Sequence, residues 1–569
     1  MLKTKIVSSQ IKAFVDDSID SFHPLTHISA LAGEKLSVQL LYVDEGRGAL
    51  PTRPFLTLCI EGDLAPYVTL RDVRSVPVDR PVYPQRFDSQ YLRTTPGIYP
   101  DILTPLRYGG YVVVSREKLR SVWVEIDIPK GFAGSGALTL SLLLARAGVG
   151  DTGITDYADQ PKLSEDSLTV EVIPADLPEQ KTLFTQWFYA DCLASYYNVE
   201  VWSDRHFEII EEFLRVAAAR GRNMMYTPIL TPALNAVPPY LRNPSQLVRV
   251  ELANGVYSFD FSLLDRWIDI LDRVGIKYIE MSHFFHQKPV QYAAKVYATV
   301  DGEYKLLFGW DTLALSEEYI HFLREMLTAL IAHLKARGDD TRCYYHIADE
   351  PNPATLSQYM QEKEAIADIL AGYKIMDALS EIEFYESGAV EIPVPVTASA
   401  APFIAADIKE RWVYYACGQI LDYSNVYLAM PSWRTRSLGM QMYKFHIDGF
   451  LHWGYNYYNN RASGDAINPY LDLSGEDWVP AGDTFIVYPD QNGRPLESIR
   501  MMTLEEVMQD IRAMQLCESL YSHAEVVAAM EEELGAEITF ERCAHSEDEM
   551  LRVRERINSM IAARSNLIE

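Results

Sequence analysis

Two adjacent carboxylates, Asp349 and Glu350, end an apolar and aromatic run over residues 344–348, and a proline follows them directly. A helical pattern then covers residues 355–371, so the segment predicts a strand, an abrupt loop and a helix. In a (β/α)₈ barrel the carboxyl ends of the strands carry the chemistry, and paired acids there suit acid–base catalysis. The alternative is that both acids cap the helix, but Asn352 or Thr355 is better placed for that role. The spacing therefore predicts a catalytic pair.

Further residues that could bind a ligand fall at the ends of other predicted strands. They are Trp187 and Asp191 after the first strand, Glu280 and His283 after the third, His346 in the fourth, Tyr415 in the seventh, and His452, Trp453, Tyr455 and Asn456 in the eighth. Aromatic residues interleaved with acids, histidine and asparagine suit a sugar, whose apolar ring faces stack on aromatics while its hydroxyls form hydrogen bonds. The alternative is that about half of these aromatics pack the ends of the barrel.

His283 and His286 invite a metal-binding interpretation, because two histidines close in sequence can share a cation. This spacing is weak evidence in a predicted loop, and the sequence supplies no convincing third ligand. The motifs of dinucleotide, nucleoside triphosphate, zinc-protease and serine-hydrolase sites are all absent from the sequence. We therefore expect neither a metal ion nor another cofactor.

Eight strand-like segments alternate with helical segments, and these elements must position the candidate residues. They cover residues 183–189, 223–230, 277–281, 344–348, 374–379, 392–397, 412–416 and 447–453. Eight alternations over about 270 residues predict a (β/α)₈ barrel of the TIM type, because a doubly wound sheet rarely needs so many.

The segments before and after the barrel have different patterns. Short alternating runs separated by Gly, Pro and Asp clusters predict an all-β sandwich domain over residues 1–178. Within it, the proline-rich segment 96–105 is expected to be an ordered loop, because proline cannot donate a hydrogen bond in a central strand. The predicted catalytic barrel covers residues 179–500, and helical patterns predict a small C-terminal extension over residues 501–569.

Composition limits the partners and the compartment. The chain has 51 Lys and Arg against 79 Asp and Glu, a net charge of −28, so it should not bind nucleic acid, whereas a small neutral glycan or glycoside is not repelled. Six widely spaced cysteines are expected to be reduced thiols. The amino terminus lacks a signal-peptide pattern and no run reaches the ~18 apolar residues of a membrane span, so we expect a cytoplasmic protein without membrane contact. The sequence leaves open whether the chain forms a homo-oligomer.

The two acids can be assigned different duties. An ordinary retaining glycosidase places two carboxylates roughly 5–5.5 Å apart across the scissile bond, and one of them is the nucleophile. Residues 414–419, at the end of the predicted seventh strand, contain no carboxylate that could be this partner. Adjacent side chains on a strand point apart, so one acid can protonate the leaving oxygen while the other orients the substrate. This division suits substrate-assisted cleavage, in which a 2-acetamido oxygen attacks the anomeric carbon.

Several stretches resemble glycoside hydrolase family 123 and a related bacterial family whose proteins share a carboxyl-terminal domain of unknown function. They are QWFYAD at 186–191, IEMSHFF at 279–285, HIADEP at 346–351, DGFLHWGYN at 448–456 and GDTFIVYP at 482–489. PGIYPD at 96–101 is similar to the β domain of this family, and the stretches together span most of residues 20–520. HIADEP and DGFLHWGYN are specific in combination and weak alone.

The resemblance implies a β-sandwich followed by a (β/α)₈ barrel, with retaining exo-β-N-acetylgalactosaminidase activity and no cofactor. It implies that Glu350 is the general acid/base and that Asp349 orients and polarises the acetamido group, with Trp453 and Tyr415 near the sugar. The loop at 287–310 could reshape the pocket, so the acid pair carries over better than the identity of the sugar. A glycosidase for another sugar and a non-catalytic carbohydrate-binding barrel remain the alternatives.

Overall fold

The computed structural model describes residues 2–46, 55–106, 110–132, 134–144, 161–232, 234, 236–286 and 291–567. The chain divides into two compact units. One contains Met1–Lys181, Ser424–Lys444 and Leu496–Glu569, and the other contains Thr182–Tyr423 and Phe445–Pro495. The three-domain division at residues 178 and 500 stays a prediction.

The amino-terminal part of the first unit is an all-β sandwich. Its strands are β1 (Leu2–Ser8), β2 (His27–Ala32), β3 (Lys35–Asp44), β4 (Phe55–Glu61), β5 (Val68–Val78), β6 (Gly97–Pro105), β7 (Tyr111–Val113), β8 (Arg120–Asp127), β9 (Gly134–Leu144) and β10 (Lys162–Asp176). They form two five-stranded sheets in the described residues, in the orders β1-β3-β8-β5-β6 and β2-β10-β9-β4-β7. Neighbouring strands are antiparallel except for the parallel pair β2 and β10.

Alternating residues build the core of the sandwich. Val38 and Leu40 of β3 and Val124 of β8 share one buried cluster with Leu140 of β9 and Val170 of β10. A period of two places such residues on one face of each sheet, so the two apolar faces cover each other. The all-β fold predicted from the short alternating runs is therefore confirmed.

The segment expected to be a proline-rich loop is instead strand β6, and that prediction was wrong. β6 lies at the end of its sheet and pairs only with β5 among the described strands. Proline is tolerated on an edge strand because its missing N–H can face away from the neighbouring strand. A register shift between Arg74 and Ser75 of β5 accommodates the irregular partner.

The second unit contains the predicted barrel. The remaining strands of the chain are β11 (Leu183–Gln186), β12 (Met224–Thr227), β13 (Arg249–Ala253), β14 (Val256–Asp260), β15 (Tyr278–Met281), β16 (Val296–Val300), β17 (Glu303–Phe308), β18 (Cys343–Tyr345), β19 (Lys374–Leu379), β20 (Ile392–Pro395), β21 (Trp412–Tyr414), β22 (Gly449–His452), β23 (Tyr488–Pro489) and β24 (Pro495–Leu496). Eight described strands form a parallel sheet in the order β20-β19-β18-β15-β12-β11-β22-β21. A parallel bridge between Val396 and Tyr414 joins the two ends of this order, which confirms the (β/α)₈ barrel.

Helices connect most of the barrel strands. Those of the second unit are α1 (Ala190–Tyr197), α2 (Asp204–Ala219), α3 (Ser262–Val274), α4 (Glu317–Arg337), α5 (Leu356–Glu364), α6 (Ala367–Leu370), α7 (Glu383–Glu386) and α8 (Ala400–Ala405). Those of the first unit are α9 (Ser432–Arg436), α10 (Leu438–Lys444), α11 (Ile499–Leu520), α12 (His523–Leu534) and α13 (Glu547–Ala563). No helix in the described ranges is long and apolar enough to cross a membrane.

Helix α4 shows how local sequence sets these boundaries. The side chain of Ser316 accepts a hydrogen bond from the Tyr319 N–H and begins the helix, with acidic residues in the first turn. Gly338 ends it at a φ of +82°, a left-handed conformation that glycine adopts without a steric penalty. The helix therefore returns the chain to β18, which carries the acid pair at its carboxyl end.

The two insertions after β12 and β15 pair with each other. Their strands form a four-stranded sheet in the order β14-β13-β16-β17, joined by the parallel pair β13 and β16. Both insertions follow the carboxyl ends of barrel strands, where ligand-binding loops of such barrels lie.

Candidate active site

The loop after β18 holds the two acids in an unusual backbone conformation. Glu350 has a φ of +46°, which is uncommon for a residue with a side chain and is found mainly where the surrounding structure enforces it. Its N–H donates to the Ala378 carbonyl at 3.0 Å, so the loop is fixed to β19. The Tyr414 hydroxyl donates to Oε1 of Glu350 at 2.9 Å. Asp349 is buried and Glu350 is half-buried.

Both acids line a cavity of about 490 Å³. Its described wall consists of Trp187, Ala236, Val237, Asp349, Glu350, Ala378, Tyr414, Ala416, Cys417, Leu451, Trp453, Arg461, Ala462 and Trp478. A few polar groups on a mainly apolar and aromatic wall are typical of a small-molecule site. Of the predicted site residues, the cavity brings together the acid pair, Trp187 and Trp453.

Tyr414 was not predicted, although it contacts the acid pair directly. Burial, followed by the neighbouring carboxylate of Glu350, raises the pKa of Tyr414 well above its usual range. The phenol therefore keeps its proton and serves as a hydrogen-bond donor to Glu350. Alternation along a strand requires Tyr414 and Tyr415 to face different directions, but the sequence does not decide which of them faces the cavity.

A buried network lies behind Trp187. Its indole N–H donates to Oε1 of Glu280 at 2.7 Å, and Nε2 of His346 lies 2.8 Å from the same oxygen. Thr185 donates to the other carboxylate oxygen of Glu280. Nδ1 of His346 lies 3.1 Å from Oδ1 of Asp377. Glu280 and His346 are fully buried, so they position Trp187 and do not reach the cavity themselves.

His346 is a buried cation in this network. Burial alone would lower its pKa, but the hydrogen bonds to Asp377 and Glu280 outweigh burial and raise the pKa of His346 to about 10. Burial raises the pKa of Asp377 above its usual range, and the hydrogen bonds that it accepts from His346, the Tyr359 hydroxyl and the Ile347 N–H oppose this shift because they favour the charged form. The arrangement is an imidazolium between two carboxylates.

His283 stacks on this imidazolium, with ring centroids 4.3 Å apart. Burial, and then the charge of His346, hold the pKa of His283 well below its usual range. One potential ligand atom from each of His283, His346 and Asp377 lies within 4.8 Å of the other two, a spacing that could hold a metal ion. Both ring nitrogens of His346 already face carboxylates, and a metal ion would have to displace these hydrogen bonds. The donor set therefore fits an ion-pair network better than a metal centre.

A second network lies behind Trp453. Its indole N–H donates to Oδ2 of Asp483 at 3.0 Å. Nδ1 of His452 accepts from the Gly454 N–H at 3.2 Å and lies 2.9 Å from the Gln186 amide nitrogen. Nε2 of His452 is 3.8 Å from Oδ1 of Asp483, too far for a hydrogen bond. The N–H groups of both pocket tryptophans are therefore engaged by buried carboxylates, and both residues line the cavity.

The other predicted binding residues contact neighbouring protein groups and do not line the described cavity wall. Asp191 forms a buried bidentate ion pair with Arg242. Tyr415 packs against Phe450 and His452, and the Tyr455 hydroxyl donates to the Phe213 carbonyl at 2.8 Å. Asn456 pairs with both backbone groups of Tyr189. His286, considered for a metal, packs against Trp310, with ring centroids 4.0 Å apart.

The long loop after β22 supplies wall residues that were not predicted, namely Arg461, Ala462 and Trp478. The ring of Trp478 lies 5.6 Å from that of Trp453 and extends the aromatic surface. No periodic pattern marks such a loop, and only its content of aromatic residues signalled a binding role.

The barrel, the acid pair at its fourth strand and the aromatic cavity together define a glycoside hydrolase. The family model for the catalytic domain of glycoside hydrolase 123 matches residues 187–517, so the chain belongs to this family. No protein of curated function matches the sequence.

A solved structure of a family 123 glycoside hydrolase has the same fold. A family 123 glycoside hydrolase from Clostridium perfringens, analysed for glycolipid glycan hydrolysis, is similar at a TM-score of 0.73 and 16% identity, covering 100% of this chain and 99% of that one. A glycoside hydrolase family 10 xylanase from Thermobacillus composti has a TM-score of 0.30 and 12% identity, covering 58% of this chain and 96% of that one. A family 5 mannosidase from Rhizomucor miehei has a TM-score of 0.30 and 10% identity, with 59% and 94% covered.

Proposed function

We propose that this glycoside hydrolase is a retaining exo-β-N-acetylgalactosaminidase that uses the 2-acetamido group of its substrate as the nucleophile. The observation that carries the proposal is the composition of the cavity wall. Asp349 and Glu350 are adjacent, and no third carboxylate belongs to the described wall. At the end of β21, where a second carboxylate would act as nucleophile, the wall instead has the hydroxyl of Tyr414.

In the first step the acetamido oxygen forms a bond to the anomeric carbon, and the bond from that carbon to the leaving oxygen breaks. Glu350 transfers its proton to the leaving oxygen, which departs as a neutral alcohol. In the second step Glu350 removes a proton from water, the water oxygen adds to the anomeric carbon, and the oxazolinium ring reopens. Configuration is retained because the anomeric carbon is inverted twice.

Asp349 accepts the acetamide N–H in this proposal. A carboxylate there increases the electron density on the acetamido oxygen and orients it towards the anomeric carbon. Both effects strengthen as positive charge develops on the ring, so they lower the barrier to the chemical step. The ring faces of Trp187 and Trp453 provide apolar surface for the sugar.

The leaving group is the less defined part of the substrate. The Clostridium protein was analysed for glycolipid glycan hydrolysis, so glycolipid glycans belong among the substrates to be tested, alongside small glycosides. Val237 lines the cavity with 42% of its surface exposed, and Tyr240 and Leu241 nearby are 46% and 45% exposed. These side chains offer apolar contact to a leaving group. The free thiols at all six cysteines are in keeping with a reducing, cytoplasmic setting, which we also propose.

The test begins with aryl β-glycosides of N-acetylgalactosamine, N-acetylglucosamine, galactose and glucose. We expect turnover of the acetamido sugars, with N-acetylgalactosamine preferred, and inhibition by a thiazoline analogue of the cyclised intermediate. Preference for galactose or glucose would contradict the proposal. A glycosyl adduct on any carboxylate after treatment with a 2-fluoro glycoside, detected by intact-protein mass spectrometry, would overturn the substrate-assisted mechanism.

Substitution of the acids separates their duties. Asp349→Asn keeps the shape but loses the charge, and we expect kcat to fall ~10²–10⁴-fold, the range for losing one preorganised electrostatic partner. Glu350→Gln should impair substrates with poor leaving groups far more than activated aryl glycosides, which need little protonation. Equal losses of Glu350→Gln on both kinds of substrate would contradict its assignment as the acid.

A further inference from the structure

A compact turn at residues 460–465 forms part of the cavity wall. Oδ1 of Asn460 accepts from the N–H groups of Gly464 at 2.9 Å and Asp465 at 3.2 Å. The Asn460 N–H donates to the Asp465 carbonyl at 2.9 Å, which closes the turn. A side chain added at Gly464 would meet the ring of Tyr240 at 2.9 Å, so the turn also packs against the loop after β12. These contacts fix the backbone from which Arg461 projects.

Arg461 is the cation of the described cavity wall, and it makes no hydrogen bond or ion pair with any residue in the described ranges. Acidic side chains are close in sequence: Asp465 lies four residues on, and Glu476 accepts a hydrogen bond from the Asn460 side chain at 2.8 Å. Neither pairs with the guanidinium. In a chain of net charge −28, an arginine without an acidic partner is available for an anion from outside the protein.

The simplest alternative is that Arg461 is an ordinary solvated surface residue. Arg461 is exposed, but unlike an ordinary surface arginine it lines the same cavity as Asp349 and Glu350. The carboxylate of Asp349 repels any anionic group on a substrate, and a cation elsewhere on the wall offsets that repulsion. A guanidinium also binds sulfate or carboxylate through two parallel hydrogen bonds, which a neutral hydroxyl cannot match.

We infer that Arg461 selects substrates carrying an anionic substituent, a sulfate or a carboxylate, on the terminal sugar or on the leaving group. This inference rests on the proposed function and names the substrate class of the same cavity. It makes Arg461 a specificity-determining residue for charged N-acetylhexosaminides, while the acid pair and the tryptophans bind the sugar common to all of them.

The test compares kcat/KM for three substrates: methylumbelliferyl N-acetyl-β-galactosaminide, its 6-sulfate, and an aryl glycoside of the same sugar with a carboxylate on the aglycone. The measured quantity is the ratio of kcat/KM for an anionic substrate to that for the neutral one. We expect Arg461→Gln to lower this ratio about tenfold, the effect of losing one charge-assisted contact, and Arg461→Glu to lower it further. Loss with the sulfate alone places the anion on the sugar, and loss with the carboxylate alone places it on the leaving group.

Arg494→Gln is the matched control, because Arg494 is exposed and does not line the described cavity. It should keep the wild-type ratio, and the wild-type ratio should fall as salt is added. An unchanged ratio in both Arg461 variants, or equal losses on neutral and anionic substrates, would overturn the inference.

Calorimetric binding of N-acetylgalactosamine and of its 6-sulfate separates this inference from the proposed function, because it does not need turnover. We expect the sulfated sugar to bind wild type more tightly than it binds Arg461→Glu, by about tenfold or more. Equal affinities for the sulfated sugar would exclude an anion on the sugar. Combined with an unchanged kcat/KM ratio for the substrate with a carboxylate on the aglycone, they would overturn the role of Arg461 even if the enzyme is active. If the sulfated sugar binds wild type more tightly than Arg461→Glu but no substrate is hydrolysed, the proposed function alone is contradicted.

Discussion

The two pocket tryptophans are each supported by a carboxylate with a histidine behind it, but the two networks differ in their ion pairing. Trp187 and Trp453 each donate the indole N–H to a buried carboxylate, Glu280 and Asp483 respectively. Behind Glu280, His346 lies 2.8 Å away and also contacts a second carboxylate. Behind Asp483, His452 remains 3.8 Å away and accepts a hydrogen bond at Nδ1 from a backbone N–H. One tryptophan is therefore supported by an ion-pair network and the other mainly by neutral contacts.

The two networks also join different strands of the barrel. The charged network joins β15, β18 and β19 through Glu280, His346 and Asp377, and β18 carries the acid pair. The neutral contacts join β11 and β22 through Gln186 and His452. Charge–charge contacts in a buried site are strong only while every partner remains, so the network beside the acids should be the more sensitive to substitution.

The largest effect is expected from removing the shared carboxylate. Glu280→Gln leaves the His346 imidazolium with one anionic partner and removes an acceptor used by Trp187 and Thr185. We expect the free energy of unfolding to fall by about 3–5 kcal/mol, as when one partner of a buried ion pair is lost. Chemical denaturation monitored by circular dichroism measures this change.

Asp483→Asn is the matched substitution in the other network. It keeps an oxygen that can accept from the Trp453 N–H and removes no ion pair at hydrogen-bond distance. A loss for Asp483→Asn as large as that for Glu280→Gln would show that the two networks do not differ as described.

The next effect is the pH dependence of stability. The folded pKa of His346, about 10, lies above its unfolded value of about 6.5. The stabilisation from this protonation is therefore fully present below about pH 6.5 and is lost as the pH rises through 10. Between pH 7 and pH 10 its contribution to the free energy of unfolding falls by about 3 kcal/mol. His346→Gln should be less stable than wild type at pH 7, and the difference between them should shrink towards pH 10.

His452→Gln provides the comparison, since His452 accepts a hydrogen bond at Nδ1 and has no carboxylate within hydrogen-bond distance among the described residues. Its loss of stability at pH 7 should be smaller than that of His346→Gln, because the substitution removes no ion pair at hydrogen-bond distance. Measuring differences between variants also removes the contributions of other groups that titrate there, such as Lys295, whose pKa burial lowers to about 8. A constant difference for His346→Gln across this interval would contradict its description as a cation.

The sequence predicted the barrel because eight strand-like segments recur with helices between them, and each was found. It also predicted that Asp349, Glu350, Trp187 and Trp453 lie together, because the carboxyl ends of parallel strands converge. The sequence was less successful at predicting which of two neighbouring residues on a strand lines the cavity. Tyr415 was chosen, whereas its neighbour Tyr414 contacts Glu350. A strand of three residues gives too little alternation to decide which tyrosine faces the cavity.

The sequence also did not distinguish residues that bind the sugar from buried residues that support the cavity wall. Glu280 and His346 carry polar side chains at strand ends, so composition alone made them candidates for sugar binding. The structure shows that their hydrogen-bonding groups face one another and Asp377, a residue in the middle of β19 that no motif marked. Partners that meet across three strands depend on side-chain directions inside the barrel, which spacing along the chain does not give.

The smallest effect distinguishes the tryptophans themselves. Trp187→Phe and Trp453→Phe each keep an aromatic face for the sugar and remove one indole N–H. Glu280 then retains Thr185 and His346, whereas the Asp483 side chain makes no other hydrogen bond with the described residues. A buried carboxylate left without its donor costs about 1–3 kcal/mol. Trp453→Phe should therefore lower the free energy of unfolding by about that amount, and Trp187→Phe by less than about 1 kcal/mol.

Denaturation curves at pH 7 measure both losses. Asp483→Asn combined with Trp453→Phe should recover part of the larger loss, because an amide is less costly to leave unpaired than a charge. Equal losses for the two tryptophan variants, or no recovery in the double variant, would contradict the proposed difference between the networks.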